Sequence, residues 1–191
     1  LSYLSATNWF LEPSLGIFGV SFLALCSAAI VIQLISGLDS KKGLRAGFGT
    51  AVALAVLYYP LQVLMSADAS FMNVIAVFAV TISVGMMIGF VVSPIDRRVY
   101  VRIGLFTALI ATFPIIVDRF ISEFSGYMNS DAIGGRPVPT LGQANDLLTP
   151  EQLGNFWISG LDTAMHLVLP TIALTLISFA GYVRFSRGSL L

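Results

Sequence analysis

Four hydroxyl side chains, Thr171, Thr175, Ser178 and Tyr182, recur at i, i+4, i+7 and i+11 in an otherwise apolar stretch. On a helix that spacing puts them on one face. Hydroxyls in this arrangement bind rather than break bonds. They either donate to neighbouring helices or line a wet path for a polar solute, and the sequence leaves both uses open. Upstream, Asp162 stands where a helix N-cap would, accepting from free amides and matching the positive helix end. His166 lies one turn deeper, as an interfacial residue or as a ligand for substrate. Pro170 lacks an amide hydrogen and crowds the preceding turn, so a kink is expected near 166–170. Arg184 and Arg187 share a face at the far end, where cations complement the helix terminus.

Other chemistries lack their residues. The chain has one histidine and one cysteine, too few for a metal site built from such ligands, and no cofactor is expected. Cys26 is alone, so no disulfide forms within these residues. There is no glycine-rich phosphate loop and no basic stripe for nucleic acid. The long apolar stretches hold no charge at their centres and no carboxylate is expected to be buried, whereas ion-driven transporters place ionisable groups inside the membrane. Neither an enzyme nor an ion-coupled transporter fits that pattern.

The elements that hold these residues follow from composition. Hydrophobic residues make up 57% of the 191 and charged ones 10%, against roughly 25% charged in a soluble domain. Charge is absent from 13–38, 46–67, 69–95, 103–117 and 163–183. A helix of about 20 apolar residues crosses a bilayer core, and in lipid the backbone must satisfy its own hydrogen bonds. The expected fold is therefore all-α and polytopic, with transmembrane helices at about 14–37, 46–67, 70–93, 103–121 and from 163 to the end. The fourth stretch is short, so it is expected to run past Asp118 and Arg119 with their side chains snorkelling to the interface.

Loop charge gives direction. Residues 39–45, 96–102 and 184–191 each carry net +2, while 118–162 carries six acids against two arginines. By the positive-inside rule the first three are cytoplasmic, and 1–12 and 122–162 lie outside. In the outer segment, Gly134-Gly135-Arg136-Pro137-Val138-Pro139 reads as loop. Thr149-Pro150-Glu151-Gln152 reads as a capped helix start. A short helix over about 150–158 is expected to lie on the interface, with Trp157 at the membrane–water boundary. The exposed acids Asp131, Asp146 and Glu151 of the outer segment are candidates for docking an outer partner. Gly47, Ala51 and Ala55, and Gly85-x-x-x-Gly89, are spaced for close helix packing, either within the subunit or against a second one.

The order His166-Leu-Val-Leu-Pro170, a hydroxyl-dotted helix, then Gly181-Tyr182-x-Arg184-x-x-Arg187-x-Ser189-Leu-Leu resembles the inner-membrane permease subunits of binding-protein-dependent ABC importers, in the dipeptide/oligopeptide branch. Gly135-Arg136-Pro137-x-Pro139-Thr140-x-Gly142-Gln143 is similar to that family's outer loop, and 83–121 resembles its core helices more loosely. The first two spans do not match the family pattern, so 37–67 reads as an insertion or a divergent region. The resemblance implies a subunit of a prokaryotic cell membrane, paired with a second permease subunit. It implies ABC ATPases inside, a solute-binding protein outside, and ATP hydrolysis in the partner. It also makes 163–191 the helix that leads to the cytoplasmic coupling loop. Leu1 in place of methionine and the abrupt Arg187-Gly188-Ser189-Leu190-Leu191 lead us to expect a longer protein, cut before that loop. Outside the family, the reading left open is another polytopic membrane protein, such as a secondary transporter or an assembly factor.

Overall fold

The computed structural model describes residues 13–37, 40–67, 69–93, 96–130, 133, 145 and 147–189. Among them the chain forms six helices and no strand: α1 (Gly16–Ile35), α2 (Lys41–Ala67), α3 (Phe71–Val92), α4 (Arg97–Met128), α5 (Pro150–Gly154) and α6 (Phe156–Ser189). Five of these, all but α5, are long and apolar enough to cross a membrane. At 1.5 Å per residue the shortest, α1, rises about 30 Å, one bilayer core. The fold is an all-α polytopic one, as composition requires.

Local signals set the helix ends. Ser40 opens α2 by accepting from the Gly43 amide (3.1 Å), and Ser70 opens α3 by accepting from the Met72 amide (3.3 Å). Gly37, at φ 77°, ends α1 in the left-handed conformation that favours glycine, its amide donating to the Ile32 carbonyl at 2.9 Å. The second span begins at Lys41 rather than at 46, because Lys41, Lys42 and Arg45 are borne on the helix itself, exposed at its first turns.

The described residues fall into two compact units that divide between Glu123 and Phe124. In the first, α1 packs on α2 through a core of Ala24, Ala28, Val31, Ile32, Ala46, Ala51 and Leu54, with Ile103, Ala108 and Ala111 from α4. A methyl group at Gly47 would stand 2.6 Å from Ile32 Cδ1, so Ile32 is seated over that glycine. On α3 and α4, methyls at Gly85 and Gly89 would lie 2.4 and 2.3 Å from the carbonyl oxygens of Gly104 and Tyr100. The small residues expected to let helices approach do so within this chain. Beside that contact, Thr112 Oγ1 lies 2.7 Å from Thr81 Oγ1.

In the second unit the capping box forms as read. Thr149 Oγ1 accepts from the Gln152 amide at 3.3 Å, and Gln152 Oε1 accepts from the Thr149 amide at 3.0 Å. The helix it starts is one turn, however, and the expected element over 150–158 is two pieces. Asn155 is extended (φ −79°, ψ 115°), and its Oδ1 accepts from the amides of Trp157 (2.9 Å) and Ile158 (3.4 Å), starting α6. Trp157 thus belongs to the last span and is fully buried within the protein. Its ring meets Phe156 edge-on at 5.1 Å.

Candidate functional site

The hydroxyl face of α6 lies on an exposed stretch of helix. Every residue from 169 to 187 is exposed, including Thr171, Thr175, Ser178 and Tyr182. Thr175 Oγ1 donates to the Thr171 carbonyl of its own helix at 2.7 Å. That bond quiets one hydroxyl locally and leaves oxygen lone pairs facing outward. Arg184 and Arg187 are exposed beyond it. Pro170 sits inside the helix, which continues to Ser189. Because proline offers no amide, the His166 carbonyl loses its usual helical donor there. Glu151 is exposed on α5. Asp131, Asp146 and the Gly134–Gln143 motif lie outside the described residues.

At the start of α6 the structure corrects the sequence reading. Asp162 is not a cap, because α6 begins six residues earlier at Phe156, with Asn155 as its cap. Its carboxylate is buried, accepting from the Tyr127 hydroxyl at 2.7 Å and from the Asn145 amide at 3.0 Å. His166 Nδ1 lies 2.7 Å from the Asp162 carbonyl and 3.6 Å from its Oδ1, with a side chain 6% exposed. Histidine here is packed against its own helix, and Asp162 ties α6 to the end of α4.

A second buried carboxylate lies in the first unit. Asp118, expected to snorkel, is 2% exposed. Its Oδ1 accepts from the amides of Leu15 (2.6 Å) and Gly16 (3.1 Å). Oδ2 accepts from the Tyr58 hydroxyl and from Gln62 Nε2 (3.3 Å). Gln62 also donates to the Ile115 carbonyl at 3.2 Å. The carboxylate therefore closes the start of α1, where helix amides lack partners and the dipole favours an anion. Arg119, the next residue, pairs with Glu123 one turn on. The expectation that no carboxylate is buried fails at both Asp118 and Asp162, and for one reason: each has donors supplied by residues distant in sequence. The available signal was a pair, Tyr58 and Gln62, set four apart in an apolar run.

Among the described residues no group of histidine, cysteine or acid side chains is arranged to hold a metal. Each of the two buried carboxylates accepts from a tyrosine hydroxyl and from backbone amides, which anchors the segments that supply those donors.

Five helices long and apolar enough to cross a membrane define a multi-pass α-helical membrane protein. No protein-family model, curated protein or solved structure matches the chain.

Proposed function

We propose that this chain is the permease subunit of an ATP-driven importer and forms part of a translocation path for di- or oligopeptides. The observation that carries the reading is α6, a 34-residue helix exposed from 169 to 187 whose hydroxyls occupy one face. Such a face in lipid gains little from hydrocarbon, and small-hydroxyl faces are how membrane helices engage other helices or water. A second permease subunit supplies the opposing wall of the path. Uncharged hydroxyls pass peptides of varied charge without trapping them. Arg184 and Arg187 lead toward the ATPase subunits, and the outer segment with Glu151 faces the solute-binding protein. The resemblance of 160–191 to peptide permeases supports the same assignment.

The test is peptide uptake in cells that depend on the full-length protein. Thr175→Phe, which fills the hydroxyl face, is expected to cut uptake of a labelled tripeptide at least about tenfold, a one-step loss on the affinity scale. Protein level should stay unchanged, and an ABC ATPase should copurify in mild detergent. Uptake that survives ATP depletion but stops when the proton gradient is dissipated would overturn the assignment.

That outcome would favour a second reading, an ion-coupled secondary transporter, for which one observation speaks: the buried carboxylate of Asp118 within a spanning helix. Topology is checked separately. Val99→Cys and Leu147→Cys, both at exposed positions, should react with an impermeant maleimide from opposite sides of the membrane. Labelling from one side would reverse the positive-inside assignment.

A further inference from the structure

Six cations gather at the cytoplasmic ends of the first unit: Lys41, Lys42 and Arg45 on α2, and Arg97, Arg98 and Arg102 on α4. Two have partners inside the protein. Lys42 Nζ donates to Ser93 Oγ at 3.4 Å, and the Arg97 guanidinium lies 4.3 Å over the Phe90 ring. Lys41 and Arg45 differ. They stand four apart on one exposed face of α2, whose first turn contains no acid. The contacts between basic and acidic side chains among the described residues, Arg119–Glu123 and His166–Asp162, involve neither of them.

Arg45 also stands at the mouth of a groove. Leu44, Phe48, Gly49 and Val52, all on α2 like Arg45 itself, line it as a shallow, open depression of about 490 Å³. Gly49 keeps its middle free of side chain, and a methyl there would meet Ile88 of α3 at an ordinary 3.4 Å. From Leu44 to Val52 the groove descends about 12 Å along the helix, from headgroup depth into the acyl region. Long cationic side chains on a helix lean toward its N-terminus, so Arg45 reaches toward Lys41 and the polar layer.

We propose that this face is a binding site for an acidic phospholipid, its phosphate held by Lys41 and Arg45 and one acyl chain lying in the Leu44–Val52 groove. Cation and groove form one continuous surface with the polarity order of such a lipid: charge at the membrane surface, apolar walls below. A protein partner with an acidic surface would match the cations but not the groove. A free anion would use the charge alone. The inference does not depend on what the protein transports.

The experiment uses the full chain in mild detergent, with dioleoyl phosphatidylglycerol and dioleoyl phosphatidylcholine as probes and retained lipid counted by native mass spectrometry. We expect phosphatidylglycerol to be retained in preference to phosphatidylcholine. Lys41→Gln with Arg45→Gln should weaken that retention about thirtyfold, since each cation near a headgroup contributes roughly a fivefold step. Gly49→Leu should weaken retention with every charge in place, and millimolar inorganic phosphate should leave it intact. Lys41 and Arg45 are exposed and Gly49 is half-buried beside Ile88, and an unshifted thermal midpoint in lipid-free detergent verifies the folding of both variants. Equal retention of the two lipids, or full retention by the double glutamine variant, overturns the proposal. So does displacement by phosphate, and so would binding of an acidic protein that ignores Gly49→Leu.

Discussion

Asp118→Ala is expected to lower the unfolding free energy by about 3–5 kcal/mol, as measured by denaturant titration in lipid–detergent micelles. The carboxylate is 2% exposed and serves four donors from two stretches of chain: the amides of Leu15 and Gly16, and the Tyr58 hydroxyl with the Gln62 amide. Truncation leaves all four without their acceptor. A buried donor left unsatisfied costs about 1–3 kcal/mol, and partial rescue by water entering from the nearby helix ends holds the sum below the simple total. Asp118→Asn keeps one acceptor oxygen and the same shape, so roughly half the loss is expected. Asp96→Ala, at an exposed position, should leave the midpoint where it was. If Asp118→Ala unfolds with the wild-type midpoint, the tie between α1, α2 and α4 does not carry load. Asp118→Asn also separates the two functional readings. An importer driven by a partner ATPase should lose only in proportion to stability, whereas an ion-coupled carrier loses transport outright.

What could be read from the sequence was whatever is local. Charge-free stretches mark the five spans because a membrane helix must be long, apolar and self-satisfied in its backbone bonds. The Thr149–Gln152 box was legible because its partners are three residues apart. The Gly85 and Gly89 spacing was legible too, but not its partner, since nothing in the spacing points to Gly104. The buried carboxylates were hidden by distance: Asp118 bonds Leu15 103 positions away, and Asp162 bonds Tyr127 35 away. Read locally, each is an acid at the edge of an apolar run, and snorkelling or capping is the natural inference. The start of α6 failed for a related reason. Asn155 and Asp162 are equally good cap residues, and the choice fell to Asn155 because its extended backbone ends α5 and its side chain reaches two amides of the next helix. The hydroxyl stripe was visible as a pattern, while its exposure along α6 was not.

The contact at Gly104 yields the second large effect, Gly104→Ala. A methyl group there would stand 2.0 Å from the Gly85 carbonyl oxygen, and the obstacle is backbone, not the tip of a side chain. No rotamer relieves it, so α3 and α4 must separate. Separation also pulls Thr112 away from Thr81, which are now 2.7 Å apart. Membrane helices gain their association from close van der Waals packing, with no hydrophobic drive to replace it. We therefore expect a loss of roughly 1–3 kcal/mol for alanine, in the range of overpacked cores, and more for leucine. The control lies in the same chain: Gly126 and Gly181 are helical, and a methyl at either meets nothing within 4 Å. Alanine at those two positions should be neutral or stabilise by up to about 1 kcal/mol through helix propensity. Equal effects at all four glycines would mean that propensity alone governs and the α3–α4 approach is not tight. The double variant Gly85→Ala with Gly104→Ala discriminates further. One widening of the helix pair relieves both clashes, so the two losses should fall short of additive by about 0.5 kcal/mol or more. Strict additivity would place the two glycines in separate contacts and refute the shared backbone seam.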